Sequence, residues 1–272
     1  MYVANTNRYD NTIYNRCGRS GLVLPRISLG MWQNFGKNAD YDTMKDIILT
    51  AFDHGITYFD LANNYGPDPG QAEINFGKIF NENLKPYRDE IIIATKAGYE
   101  MWPGPYGGRG GSRKYLTASL DQSLKRMGID YVDIFYHHCL DPDTPLKETA
   151  LCMSDIVRQG KSLYIGMSNY DGKKMHRMYH KCDDYNVPFV VNQNRYNILD
   201  RQVEYNSLKK ECFSKHKGLV AFSPLAQGRL SDKFKNGIPE SSRLYGKPDY
   251  CKSIGLDDAQ LQYISSLCEI AD

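Results

Sequence analysis

A chain of 272 residues, 41% of them hydrophobic, is long enough for one large α/β domain that buries a real core. Its 34 basic and 32 acidic residues leave a formal net charge of only +2, which excludes the electrostatic footprint of a nucleic-acid or anionic-membrane binder. Seven cysteines, odd in number and never spaced C-x-x-C, argue for reduced thiols rather than a disulfide framework or zinc knuckle, and a cytoplasmic protein is expected.

The polar opening, residues 1–11, lacks the apolar stretch of a signal peptide, and no later apolar run approaches the roughly 20 residues of a membrane span. Residues 14–23 (YNRCGRSGLV) set strand-like residues around a turn at Gly18–Gly21, a hairpin expected to close the floor of a barrel. Residues 25–30 (PRISLG) then begin a set of seven short apolar runs. The others are 56–60 (ITYFD), 91–96 (IIIATK), 131–138 (YVDIFYHH), 162–169 (SLYIGMSN), 189–194 (FVVNQN) and 218–224 (GLVAFSP). Such near-continuous apolar character suits the covered strands of a parallel sheet.

Helical periodicity fills the gaps. Met44, Ile47, Ile48, Ala51 and Phe52 share one face, with Gly55 placed as a C-terminal cap. Leu116, Leu120, Leu124 and Met127 do the same before Gly128. Pro145 takes a first-turn position ahead of Leu146, Ala150, Met153 and Val157, and Asp171 and Asp200 look like caps opening two more helices. The irregular stretches, 101–113 and 229–255, follow strand ends, where barrel enzymes keep their active-site loops.

Strand ends spaced 25 to 42 residues apart are those of βα units. No G-x-G-x-x-G follows the first run, which argues against a doubly wound dinucleotide fold. The expectation is a single domain over 1–272, a (β/α)₈ barrel with an N-terminal hairpin. After the seventh run one helix begins near Asp257, so the chain is expected to be truncated before an eighth strand.

In a parallel barrel the C-terminal strand ends converge on one mouth. The polar groups there are Asp60, Lys96, His138, Ser168 with Asn169, Gln193 with Asn194, and Ser223, with Tyr65 five residues past Asp60. A lysine ending IIIATK needs a counter-charge, and Asp60 on the neighbouring strand is the natural one. Lys96 beside Tyr65 is expected to lower the phenol from its ordinary ~10 toward working pH, making it an acid–base catalyst, with His138 orienting a carbonyl oxygen. Taken singly, Asp60 serves as well as a loop cap, Tyr65 as packing, Lys96 as a snorkelling cation and His138 as a structural histidine. On consecutive strand ends the four form one constellation.

Two other patterns compete. His137–His138 invites a metal, but adjacent strand residues point to opposite faces and Lys96 would repel a cation, so no metal is expected. The Gly107–Gly111 loop (GGRGG) reads either as a flexible lid or as an anion site that would take a substrate phosphate, with Arg109, Arg113 and Lys114 at hand.

The segments YNRCGRSGLVLPRISLGMWQNFG, FDLANNYGPDPGQAE, TKAGYEMWPGPYG, SRKYLTASLDQSLKRMGIDYVDIFYHH, YIGMSNY and FSPLAQGRL run along the whole chain. In them the sequence resembles the aldo-keto reductase superfamily, within it the branch of bacterial glyceraldehyde-3-phosphate reductases related to potassium-channel β-subunits. The resemblance implies the barrel, NADP(H) as cofactor, and a catalytic tetrad of Asp60, Tyr65, Lys96 and His138, with Tyr65 as proton donor. It further implies that Ser168, Asn169 and Gln193 hold the nicotinamide carboxamide and that Gly30, Met31 and Trp32, which lines the mouth, contact the cofactor together with Asp60 and Tyr65. Ser223, Pro224, Leu225, Gln227 and Gly228, with Lys233 and Arg243, would wrap the phosphates. Two departures stand out: the family's last strand and its 2′-phosphate loop have no counterpart here, and Cys139 stands where close relatives usually carry arginine. The function implied is NADPH-dependent reduction of a small aldehyde, with a channel-associated cofactor-binding subunit and an inactive remnant as alternatives. The partner expected is a small-molecule aldehyde, with no nucleic acid and no membrane, and a homo-oligomer is left open.

Overall fold

Strand β1, Tyr14–Arg16, pairs antiparallel with β2, Val23–Pro25. Gly18 turns the hairpin at φ +58°, and a Cβ there would sit 2.0 Å from the His216 carbonyl oxygen, so the position needs glycine twice over. The computed structural model describes residues 2–240, 242, 244–253 and 256–271. The expected run 25–30 divides. Pro25 closes the hairpin opposite Tyr14, the Arg26 N–H goes to the Ile13 carbonyl, and only β3, Leu29–Gly30, joins the large sheet.

That sheet continues with β4 (Tyr58–Asp60), β5 (Ile92–Ala97), β6 (Val132–His137), β7 (Ser162–Ser168), β8 (Phe189–Arg195) and β9 (Gly218–Phe222). Seven strands, among the described residues, lie side by side in chain order. Every pair from β3 to β8 is parallel. Consecutive parallel neighbours require a crossover each time, and helices supply them. These are α1 (Tyr41–Asp53), α2 (Gln71–Ile79), α3 (Arg113–Met127), α4 (Leu146–Arg158) and α5 (Gly172–Asp184), then α6 (Gln202–Tyr205) and α7 (Leu208–Ser214) before β9. The fold is the TIM-barrel-like α/β architecture that the strand spacing predicts. Cys17, Leu22 and Leu24 of the hairpin pack with Tyr58, Ala94, Ile134, Tyr136 and Val191 from the strands, as a floor should.

Asp40, Ser112 and Asp171 cap α1, α3 and α5, each accepting a backbone N–H three residues on. Gly55 and Gly128 follow or close α1 and α3 at positive φ. Pro145 caps α4 instead of entering it, holding an extended ψ of 130°. Asp200 is bridged to Asn197, so the following helix begins only at Gln202. Helix α2 is absent from the helices expected above. It starts at Gln71, after an N-cap Gly70 that offers no side-chain bond, and buries Glu73, whose carboxylate takes bonds from Thr95 Oγ1 at 2.5 Å and Arg126 Nε at 2.7 Å. A buried, paired carboxylate on the inward face hides the amphipathic pattern.

The chain divides into two compact units, residues 1–194 with 203–220, and 195–202 with 221–272. The second has its own core of Phe234, Leu244, Cys251, Leu256 and Ile264 and carries α8 (Pro248–Ser253) and α9 (Asp258–Ala271). Among the described residues no helix is long and apolar enough to cross a membrane.

Candidate active site

The C-terminal ends of β4, β5 and β6 bring three of the expected groups together in the first unit. Lys96 is fully buried, next to the last residue of β5. A buried ammonium must place three protons, and Lys96 places all of them: on Asp60 Oδ2 at 2.6 Å, on the Leu61 carbonyl at 2.8 Å and on Tyr65 Oη at 3.1 Å. The other Asp60 oxygen accepts from Gln193 Nε2 at 3.0 Å, across from β8. Register explains the meeting, since Asp60 pairs with Ala94 and Lys96 with Tyr136, which sets the two side chains on one face.

Tyr65 leaves the strand on a tight loop, its N–H on the Ala62 carbonyl and Gly66 tied to the Trp32 carbonyl. Its ring lies 4.6 Å from the Lys96 nitrogen and meets the His138 ring edge-on at 5.9 Å. His138, just past β6, is buried, and neither of its ring nitrogens makes a hydrogen bond among the described residues. His137 faces the other way, its Nδ1 2.6 Å from Tyr170 Oη, as strand alternation requires. The expected grouping of Asp60, Tyr65, Lys96 and His138 is thus a physical cluster.

One expectation about it is corrected. Burial raises the Tyr65 phenol above its ordinary value and outweighs the lowering by Lys96, while Asp60 adds to the rise. The phenol is therefore held in its protonated form. Burial also pulls at the Lys96 ammonium, but Asp60 and then Tyr65 more than compensate, and its value ends raised. Burial, Lys96 and His137 together hold the His138 imidazole well below its ordinary value, so it is neutral at physiological pH.

Ser168 and Gln193 pair in register on β7 and β8, and Asn169 follows in the left-handed region at φ 60°. Asn169 Nδ2 reaches the His138 carbonyl at 2.9 Å and Ser168 Oγ at 3.2 Å. Asn169 Oδ1 takes no hydrogen bond among the described residues, and the Ser168 hydroxyl still has a proton to give. An acceptor beside a hydroxyl donor matches an amide ligand such as a nicotinamide carboxamide. Gln193 Nε2 gives one of its protons to Asp60 Oδ1, which ties β8 to the cluster. Asn194 Nδ2 turns to the Tyr170 carbonyl and Asn192 Oδ1 instead. Gly30 ends β3, buried Met31 donates its N–H to the Asp60 carbonyl, and Trp32 is half exposed.

Ser223, Pro224, Leu225, Gln227, Gly228 and Lys233 belong to the second unit. Ser223, Ala226 and Gln227 all take positive φ in a turn closed by Ala226 N–H to the Ser223 carbonyl and Gly228 N–H to the Leu225 carbonyl. Arg243 lies outside the described residues.

Sequence reasoning passed over Tyr99. Its ring stands edge-on to His138 at 4.6 Å, nearer than Tyr65 does. The signal was its place three residues past Lys96, in TKAGYE. In the Gly107–Gly111 loop the glycine backbone is not what could meet an anion. The N–H groups of Gly107, Gly110 and Gly111 go to the Gly104 carbonyl, the Gly98 carbonyl and Asp141 Oδ2, so they form no anion cradle. A Cβ on Gly110 or Gly111 would come within 2.8 Å of Asp141 Oδ2 or His137 Nε2, so those glycines allow close packing. Arg113 pairs with Asp155 at 2.5 Å, and Lys114 sits over the Tyr106 ring.

Comparison with known proteins adds to this geometry. Residues 26–271 match the model of the aldo/keto reductase family. The whole chain is 48% identical to 79% of an L-glyceraldehyde 3-phosphate reductase of Escherichia coli O157:H7. It is 35% identical, over 95% of its length and 78% of the other, to a probable voltage-gated potassium channel subunit beta of Arabidopsis thaliana. Among solved structures, a thermostable aldo-keto reductase crystallised with the inhibitor epalrestat superposes with a TM-score of 0.68 at 29% identity, covering 94% of this chain and 99% of that one.

Proposed function

Because this chain belongs to the aldo/keto reductase family, we propose that it is an NADPH-dependent reductase of small aldehydes in which Tyr65 supplies the proton. The observation that carries this reading is Lys96, wholly buried and bonded at once to Asp60 and Tyr65. The likeness to a reductase of glyceraldehyde 3-phosphate supports a short phosphorylated aldehyde as substrate.

When bound, the dinucleotide supplies a hydride for the carbonyl carbon. The chain's own residues handle the oxygen. Tyr65, kept neutral by burial, has a proton to give as the oxygen gains charge. Losing it would create a phenolate 3.1 Å from the Lys96 ammonium, and that fixed cation stabilises the charge without reorganisation. Neutral His138, with no bond at either ring nitrogen among the described residues, can turn an N–H toward the same oxygen and fix its direction. Ser168 and Asn169 would hold the carboxamide beside them. All seven cysteines are free, which supports work in the reducing cytoplasm.

Replacing Tyr65 by phenylalanine removes only the proton donor. Turnover of glyceraldehyde 3-phosphate is expected to fall by about 10²–10⁴, with NADPH binding, followed by fluorescence titration, changed by no more than about threefold. Turnover that survives would take Tyr65 out of this role. The 35% likeness to a potassium channel subunit favours a second reading, a cofactor-binding channel partner. Co-purification with a channel, in the absence of aldehyde turnover, would favour it over the first.

A further inference from the structure

The exposed rim beside His138 carries one cation that the reaction chemistry leaves unused. Arg109 sits in the 107–111 loop, its guanidinium carbon 5.9 Å from the centre of the Tyr99 ring. Tyr99 in turn packs edge-on against His138 at 4.6 Å. The guanidinium also lies against Cys139, the residue that follows His138, and opposes the effect of burial on that thiol. Cys139 gives its own proton to the Gly98 carbonyl. So one guanidinium touches both neighbours of the orienting imidazole.

Two further observations separate Arg109 from an ordinary surface arginine. Among the described residues it forms no ion pair, although the nearby Arg113 is engaged with Asp155. Its position is also built. Met101 N–H and Gly107 N–H close the loop upon itself, Gly110 N–H ties it to the Gly98 carbonyl, and Gly111 is clamped between Asp141 Oδ2 and Thr149 Oγ1. A long, entropically costly side chain is thus presented from a pinned loop, stacked on an aromatic face, with its donors uncommitted to any carboxylate.

We propose that Arg109 is the specificity residue of the substrate site, binding the anionic end of an aldehyde whose carbonyl is held at Tyr65 and His138. This rests on the reading of the chain as an aldehyde reductase and narrows it to short aldehydes carrying a phosphate. A planar guanidinium with several donors in a fixed fork is suited to phosphate oxygens. The tether between the two ends of such a substrate must be short, because a single ring, Tyr99, separates the cation from His138.

The test compares glyceraldehyde 3-phosphate with glyceraldehyde in the full chain. In Arg109→Gln the ratio of the two kcat/KM values is expected to fall by about tenfold to a hundredfold, the scale of a lost charged hydrogen bond. Arg109→Lys should retain part of the ratio as a point charge without the fork. Binding of glycerol 3-phosphate, which cannot be reduced, is measured by calorimetry beside it. It should weaken at least about tenfold in Arg109→Gln. An unchanged ratio together with unchanged glycerol 3-phosphate binding overturns the proposal, as does a wild-type chain that does not bind glycerol 3-phosphate. A wild-type chain that binds it through Arg109 yet reduces neither aldehyde would end the reductase reading and leave the anion site standing.

Discussion

Lys96 holds a full charge with no exposed surface, and everything around it follows from the need to pair that charge. Replacing it by methionine keeps the volume and removes the ammonium. Asp60 and burial then both press the Tyr65 phenol upward with nothing to oppose them. In the reverse direction, alcohol to aldehyde, the tyrosine must act as phenolate, so its activity rises with pH. The Lys96→Met variant is expected to move that rise to higher pH and to lower kcat/KM by at least about a hundredfold. A pH profile that keeps its position would show that the lysine does not tune the tyrosine. This grouping was legible in the sequence because a charged residue closing an apolar run has few places to go. The direction of the tyrosine shift was not, since burial of the ring depends on how the Tyr65 loop folds back over the strand ends. Tyr99 escaped for the same reason, and Arg109 could be named but not separated from Arg113 and Lys114: loop paths are fixed by distant partners such as Asp141 and Thr149.

Strand β7, which ends in the site at Ser168, also acts on it from a distance through Gly166. Gly166 pairs in register with Tyr136, and a Cβ on it would lie 2.3 Å from two atoms of that ring. The Tyr136 hydroxyl is 2.7 Å from Tyr58 Oη, both rings are buried, and the Tyr136 ring centre is 5.7 Å from the Lys96 nitrogen. Gly166→Ala therefore overpacks the layer beneath the charged cluster. A loss of about 1–3 kcal/mol is expected, read as a lower denaturant midpoint at constant slope. A midpoint equal to wild type would mean that the sheet yields there and that Tyr136 is no fixed support. At this scale apolar run length and spacing made the strands readable. The exceptions have local causes. Pro25 was drawn into the hairpin by the Arg26 bond to Ile13, and α2 went unseen because Glu73 is buried on its inward face.

For the molecule as a whole, the composition permitted a single barrel domain, and the contacts separate a β-rich unit from a smaller one with its own apolar core. Ser168 and Asn169, read from family resemblance as cofactor contacts, lie in the first unit. A ligand that binds only the folded chain raises its stability by RT ln(1 + [L]/Kd), about 2.7 kcal/mol at a hundredfold excess over Kd. For a chain of this size that corresponds to a rise in Tm of roughly 5–10 °C, with NADPH in saturating amount. The Tyr65→Phe variant should show the same rise, because a missing hydroxyl removes the proton donor and leaves the proposed carboxamide contacts in place. Differential scanning calorimetry of both proteins, with and without NADPH, checks this directly. A wild-type chain whose transition does not move would lack the cofactor site altogether. A variant that alone fails to move would tie Tyr65 to cofactor binding and remove the case for it as a dedicated acid.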